Sequence, residues 1–218
     1  MSAIIIDGKA LAAEIREKIK EDTARMTSAG VRPGLAVVLV GDDPASKVYV
    51  RNKKAACEEA GILSEEYTLP ASTSEAELLE LIHKLNNKKD IHGILVQAPL
   101  PSHINFKTIT ENILPEKDVD AFHPYNVGKI MIGDFDFLPC TPAGVMELIK
   151  KAGVSVSGKN CVVVGRSNIV GKPQSMLLLK ENGTVTICHS KTENLADFTK
   201  KADILVVAVG RAEMIKGD

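Results

Sequence analysis

The sequence predicts an α/β protein of two domains with parallel sheets: an N-terminal α/β catalytic domain over residues 1–140, and an incomplete Rossmann-type domain over 141–218. Three observations predict it. Short apolar runs alternate with stretches of helical spacing, the pattern of strands joined by crossover helices. An interval rich in Pro, Gly and Asp, residues 114–140, interrupts that series and marks a domain junction. The second series then opens on strand, glycine turn and helix, an arrangement suited to binding phosphate.

In the first series, LAVVLV (Leu35 to Val40) is a buried-type strand. Asp43 can cap the helix that follows and Pro44 fits its first turn, while Gly61 is placed to end it. Glu66 to Leu69 reads as a short strand. Ser74 caps a helix carrying Leu78, Leu79, Ile82 and Leu85 at helical spacing. GILV, Gly93 to Val96, is another buried-type strand and runs into Gln97-Ala98-Pro99-Leu100-Pro101, where two prolines end regular structure. Phe106 to Ile113 suggests one more helix. In the second series Thr141-Pro142 opens a helix to Ala152, and strands are expected at Cys161 to Val164, Thr184 to Ile187 and Ile204 to Val209. Helices are expected at Ile169 to Lys180 and Asn194 to Lys200. A doubly wound nucleotide domain has about five or six strands; this series carries fewer, so the chain is expected to stop inside a domain.

The totals exclude several function classes. A net charge of −1 gives no electrostatic case for nucleic acid or a membrane surface. The cysteines, Cys57, Cys140, Cys161 and Cys188, form no C-x-x-C pair, which argues against a zinc site or disulfide framework and suits a reducing compartment. Residues 1 to 10 lack the basic and long apolar regions of a secretory signal. No apolar run approaches the ~20 residues that span a bilayer. The histidines show no metal-ligand spacing, so no metal is expected. Together these predict a soluble cytoplasmic protein.

Candidate chemistry falls in three places. Ser46, Tyr49 and Lys53 share one stripe of the helix after LAVVLV, with Tyr49 and Lys53 an i, i+4 pair. A phenol beside an amine can stack on a flat ring while the amine moves a proton; a solvated surface pair is the commoner outcome of that spacing. Gln97 closes a buried strand at the edge where that helix begins, so Gln97 and Lys53 are expected to converge. Asp118 and Asp120 could accept paired hydrogen bonds from a guanidine-like heterocycle, or serve only a turn. Finally, Gly165-Arg166-Ser167-Asn168-Ile169-Val170-Gly171-Lys172-Pro173 is neither G-x-G-x-x-G nor a Walker A loop. A ligand-free tight turn is about as good a reading, tipped toward a nucleotide by Arg166, whose guanidinium could pair with a ribose 2′-phosphate.

These stretches, with Leu138-Pro139-Cys140-Thr141-Pro142-Ala143-Gly144 and Cys188-His189-Ser190-Lys191-Thr192, stand in one order. From end to end that order resembles the methylenetetrahydrofolate dehydrogenase/methenyltetrahydrofolate cyclohydrolase family. The resemblance implies that Lys53 is the catalytic lysine, that Gln97 contacts it and tunes its protonation, and that Tyr49 stacks on the folate. It implies folate contacts at Ser46, Pro99, Leu100 and Asp120, the last holding the pterin edge. It implies an NADP site lined by Gly165, Arg166, Ser167, Ile169, Val170, Gly171 and Ser190, with Arg166 and Ser190 nearest the 2′-phosphate. The implied reaction is hydride transfer from 5,10-methylenetetrahydrofolate to NADP, then hydrolysis of the methenyl product to 10-formyltetrahydrofolate; the implied assembly is a homodimer. Ala98 stands where the family usually has Leu, and Ala121 where it usually has Gly. The family also normally continues for roughly a further quarter of its length.

Two other readings compete. Tyr49-x-x-x-Lys53 suggests a short-chain dehydrogenase, but there the pair follows the nucleotide-binding glycines, whereas here it lies far upstream of Gly165. A truncated folate- or nucleotide-binding module without turnover is the non-enzymatic reading.

Overall fold

The computed structural model describes residues 3–216. By their contacts they group into two compact units, one ending at Asn126 and the other beginning at Val127.

The first unit opens with α1 (Gly8–Ser28), which the sequence reading passes over. Asp7 caps it, its carboxylate accepting from the amides of Lys9 and Ala10 at 3.0 Å each. Only Leu11 and Thr23 of its residues are buried, so it lacks the apolar stripe by which a helix is recognised. β1 (Gly34–Val40) follows, then α2 (Pro44–Glu59) and β2 (Leu63–Leu69). Asp43 caps α2 by accepting from the amide of Ser46 at 2.7 Å. β2 is longer than expected because Leu63 to Glu65, polar on average, pair fully with β1. α3 (Glu75–Asn86) starts with a capping box between Ser74 and Glu77. β3 (Gly93–Val96), α4 (Phe106–Asn112) and α5 (Pro124–Ile132) complete the series. α5 begins in the first unit and ends in the second; it lies inside the interval read as an irregular junction.

The three strands are parallel in the order β2-β1-β3. Both faces of the sheet are covered, which is why β1 is apolar at every position rather than alternating. Ala36, Val38 and Val40 pack with Leu78, Ile82 and Leu85 of α3, while Val37 and Leu39 pack with Val50 of α2.

The second unit contains α6 (Cys140–Lys151), β4 (Asn160–Val164), α7 (Gly171–Lys180), β5 (Thr184–Cys188), α8 (Leu195–Thr199) and β6 (Ile204–Val207). Its strands are also parallel, in the order β5-β4-β6. Cys161 and Val163 pack with Leu178, Met146 and Ile149 on one face; Val162, Val164 and Cys188 pack with Leu195 and Ala202 on the other. α7 starts at Gly171, not Ile169, because the hydroxyl of Ser167 accepts from the amides of Val170 and Gly171 at 3.2 and 3.3 Å and holds 167–170 as a turn. Among the described residues, no helix is long and apolar enough to cross a membrane.

Candidate active site

In the first unit β1 is central, β2 lies on one side and β3 on the other. The chain direction therefore switches between β1 and β3, and ligands of open parallel sheets bind outside the carboxyl ends of strands at such a point. β1 leads there through Gly41-Asp42-Asp43 into α2; β3 leads there directly into Gln97.

Lys53 and Gln97 meet at this edge. The Lys53 ammonium donates to Gln97 Oε1 at 2.9 Å, and both residues are half-buried. Gln97 Nε2 donates to the carbonyl of Ala98 at 2.8 Å, and the same carbonyl accepts from Ser46 Oγ at 3.4 Å. Ser46 is 2% exposed and so ties α2 to the loop after β3. Its near-complete burial separates it from Tyr49, which is 60% exposed one turn before Lys53 and leaves its ring open for stacking. Beyond Ala98 the peptide to Pro99 is cis. Pro99 is exposed, while half-buried Leu100 packs on the core beneath α3 and anchors the loop. The residue at 98 thus enters these contacts through its carbonyl, which Ala and Leu supply alike.

Asp120 is carried to the neighbourhood of Lys53 by the segment that leaves β3's side. Asp118 forms a parallel bridge with Ile94, the amide of Ile94 donates to the carbonyl of Lys117 at 2.8 Å, and the chain then turns, the amide of Ala121 donating to the carbonyl of Asp118 at 3.1 Å. Asp120, in that turn, is near enough to Lys53 for its charge to act on the carboxyl. Burial pushes its carboxyl up to about 6; the charge of Lys53 opposes this and that of Asp118 adds to it. The two aspartates, equivalent candidates in the sequence, are separated here. Asp118 is 2% exposed and turned to internal partners, His123 N at 2.8 Å and Asn126 Nδ2 at 2.9 Å. Ala121 holds a positive φ of 55°, a backbone that glycine adopts without penalty.

The second unit repeats the topology with different chemistry. Gly165 follows β4 with φ of 132°, and a Cβ there would lie 2.5 Å from the carbonyl oxygen of Ala208. A Cβ on Gly171 would collide with the carbonyl of Gly165. Glycine at both positions is what lets the strand turn directly into α7. Arg166, Ser167, Asn168 and Ile169 are exposed and Val170 half-buried in front of the amino end of that helix, where anions are favoured. β4 and β5 are paired at Val164 and Cys188, so Arg166 and Ser190 each lie two residues past a matched pair at one edge. Ser190 is exposed in a tight turn, in which His189 N donates to Thr192 Oγ1 at 2.9 Å and Thr192 N to the His189 carbonyl at 2.8 Å. A guanidinium, a hydroxyl and a helix amino end at one sheet edge fit a phosphorylated dinucleotide. Among the described residues, no group of three or more His, Cys, Asp or Glu could hold a metal ion.

Fold and site define a class: α/β proteins with a lysine–glutamine pair at the edge of one parallel sheet and a tight glycine turn into a helix at the edge of a second. Comparison narrows the class. Residues 6–120 match the family described as tetrahydrofolate dehydrogenase/cyclohydrolase, catalytic domain, and residues 139–218 match its NAD(P)-binding domain. The bifunctional protein FolD of Acetivibrio thermocellus is 59% identical over 217 residues, covering 100% of this chain and 76% of that protein. Its counterpart in Moorella thermoacetica is 60% identical over 218 residues, covering 100% and 78%. Among solved structures, the FolD methylenetetrahydrofolate dehydrogenase/cyclohydrolase of Campylobacter jejuni superimposes with a TM-score of 0.96 at 47% identity, over 99% of this chain and 77% of that one. The Trypanosoma brucei enzyme, solved with NADP and an inhibitor, gives 0.92 at 38% identity, over 97% and 73%. The chain belongs to the tetrahydrofolate dehydrogenase/cyclohydrolase family. The short-chain dehydrogenase reading falls with this, since Tyr49 and Lys53 stand on α2 of the first unit and the glycine turn lies in the second.

Sequence reasoning missed Asn126 and the carbonyl of Ala98. Neither carries a spacing signal: one is a buried amide in the first turn of α5, the other a backbone atom.

Proposed function

We propose that this chain oxidises 5,10-methylenetetrahydrofolate with NADP to 5,10-methenyltetrahydrofolate and hydrolyses that product to 10-formyltetrahydrofolate, with residues 1–140 holding the folate and 141–218 the NADP. The observation that carries the reading is the 2.9 Å contact between Lys53 and Gln97 at the switch point of the first sheet. Asp120 beside it supplies a carboxyl matched to the amino-pyrimidine edge of a pterin.

Bound NADP supplies the hydride acceptor. The chain's own residues bind, orient and move protons. Tyr49 stacks on the flat ring, Ser46 and Leu100 fix the surrounding loop, and Pro99 borders the substrate. As the neutral amine, Lys53 takes the proton released when water adds to the methenyl carbon, and as the resulting ammonium it returns one to the ring nitrogen as that carbon–nitrogen bond breaks; Gln97 Oε1 accepts from the lysine nitrogen in both forms and holds it in place. Gly165 and Gly171 keep the turn tight, Ile169 and Val170 flank the dinucleotide, Ser167 shapes the helix start, and Arg166 with Ser190 receives the 2′-phosphate. The same reading has the chain work in the cytoplasm as a homodimer, feeding 10-formyltetrahydrofolate to purine biosynthesis.

The test is a spectrophotometric assay with 5,10-methylenetetrahydrofolate and NADP, following NADPH and methenyl absorbance together. Appearance of NADPH, with a methenyl signal that decays by hydrolysis faster than in buffer, is expected. Tetrahydrofolate binding without turnover would favour the non-enzymatic module instead.

A further inference from the structure

The buried amide of Asn126 and the buried carboxylate of Asp118 form a clamp around the segment that carries Asp120. Asn126, 4% exposed, divides its Nδ2 group between the carbonyl of Pro115 and Asp118 Oδ2, at 2.9 Å each. Asp118 Oδ2 also accepts from the amide of His123 at 2.8 Å, and the Asp118 carbonyl accepts from the amide of Ala121 at 3.1 Å. One residue therefore closes two nested turns about Asp120, and Asn126 ties the base of both to the loop before them. The other side is fastened too. Lys117 Nζ donates to the carbonyls of Leu85 and Lys88 at 3.2 and 2.8 Å, at the end of α3. Val119 fills the space beside Gly93, where any Cβ would come within 2.5 Å of its side chain. Asp118 is too deeply buried to touch a ligand, and a buried carboxylate is costly unless its hydrogen bonds are made. So much internal bonding spent on one short segment implies that the position of Asp120 matters.

We propose that Asp118 and Asn126 are positioning residues for Asp120, setting how tightly the site holds the pterin edge of its folate. The inference rests on the assignment of Asp120 to the folate made above. The test is isothermal titration of the full chain with tetrahydrofolate, run as a double-mutant cycle. Asn126→Ala is expected to weaken binding about tenfold, since small misplacements of a recognition group cost this order. Asp118→Asn, which keeps an oxygen for both donors, is expected to stay within about twofold, whereas Asp118→Ala, which keeps none, is expected to weaken binding as Asn126→Ala does. In an Asp120→Ala background, Asn126→Ala is expected to add nothing. If Asp120→Ala weakens binding and Asn126→Ala still adds its full effect, the positioning role is wrong and the folate assignment stands. If Asp120→Ala binds as tightly as the starting chain, the folate assignment falls and takes the proposal with it.

Should Asn126→Ala fail to fold, Asn126→Ser and Asp118→Ala take its place in the same cycle: each is expected to weaken binding only while Asp120 is present, and a full effect in the Asp120→Ala background overturns the proposal.

Discussion

The two sheets share one topology, β2-β1-β3 and β5-β4-β6, each with its first strand central and its successors on opposite sides. In both, the central strand ends at a switch point and the chain turns into a helix. What occupies that point differs. After β1, Asp43 caps and Pro44 starts α2 at once, so side chains of the helix itself, Ser46 and Lys53, lie over the edge and meet Gln97 and the Ala98 carbonyl. After β4, Gly165 and Gly171 bring backbone against backbone and α7 is delayed to Gly171, leaving residues 166–170 before the helix. Topology chose where both sites form; the residues that leave the central strand chose whether the site is built from side chains or from main chain and a helix end.

Four substitutions break or sharpen that contrast. The largest effect is expected from Lys53→Gln, which removes the group proposed above to move the protons. General acid–base loss is typically ~10²- to 10⁴-fold, and both activities should fall by that order while NADP affinity, assigned above to the other sheet, stays within about twofold. Retained turnover in either assay would remove Lys53 from the mechanism.

Gly165→Ala tests the main-chain site. A φ of 132° is nearly closed to other residues, and the new methyl would press on the Ala208 carbonyl. Strain of this kind costs on the order of 1–3 kcal/mol before the clash is counted. The second unit should unfold at lower urea and NADP affinity should fall, whereas tetrahydrofolate affinity should change little. Unaltered NADP titration would show that the turn tolerates a side chain.

Asp120→Asn separates stability from binding. The folded carboxyl titrates at about 6, above an ordinary aspartate, so the folded state binds the extra proton between the two values. Its contribution is therefore full below the ordinary range and is lost as pH rises through about 6. At pH 7 the variant should be the more stable form, by on the order of 2 kcal/mol, while its affinity for tetrahydrofolate drops. Thermal melts at pH 4 and 7 check this: the advantage should shrink at the lower pH, and equal melting temperatures at pH 7 would mean that the carboxyl is not strained there.

The smallest effect is expected at Gln174 on α7. It is fully buried; its Nε2 contacts Met146 Sδ at 3.3 Å, and its Oε1 has no hydrogen-bond partner among the described residues. Replacing an unsatisfied buried amide by a group of similar shape is favourable or neutral, so Gln174→Met should raise stability by about 1 kcal/mol in urea unfolding. A loss of that size would mean that the amide has a partner in solution.

Much of this was legible in the sequence, for identifiable reasons. β1, β3 and β4 are covered on both faces and are therefore unbroken apolar runs. Asp43, Pro44 and Ser74 are capping signals that act over three residues, and the convergence of Lys53 with Gln97 followed from topology alone. What was hidden depends on burial or on long-range register. α1 exposes most of its surface and has no stripe to read. α5, PYNVGKIMI, is disguised by the Pro and Gly around it. Asp118 and Asp120 are alike as letters, and only the folded turn, in which His123 and Asn126 donate to Asp118, buries one on internal partners and leaves the other within reach of the Lys53 charge.

Gln97 carries a last consequence in the polarity of its amide. The nitrogen end is committed to the Ala98 carbonyl, so the group cannot rotate end for end without setting two acceptors face to face. Lys53 consequently always meets an oxygen and never a hydrogen. A glutamate here would turn acceptor against acceptor, and a leucine would leave the amine with no counterpart. The position demands a side chain that receives at one end and gives at the other, which among residues of this length means glutamine.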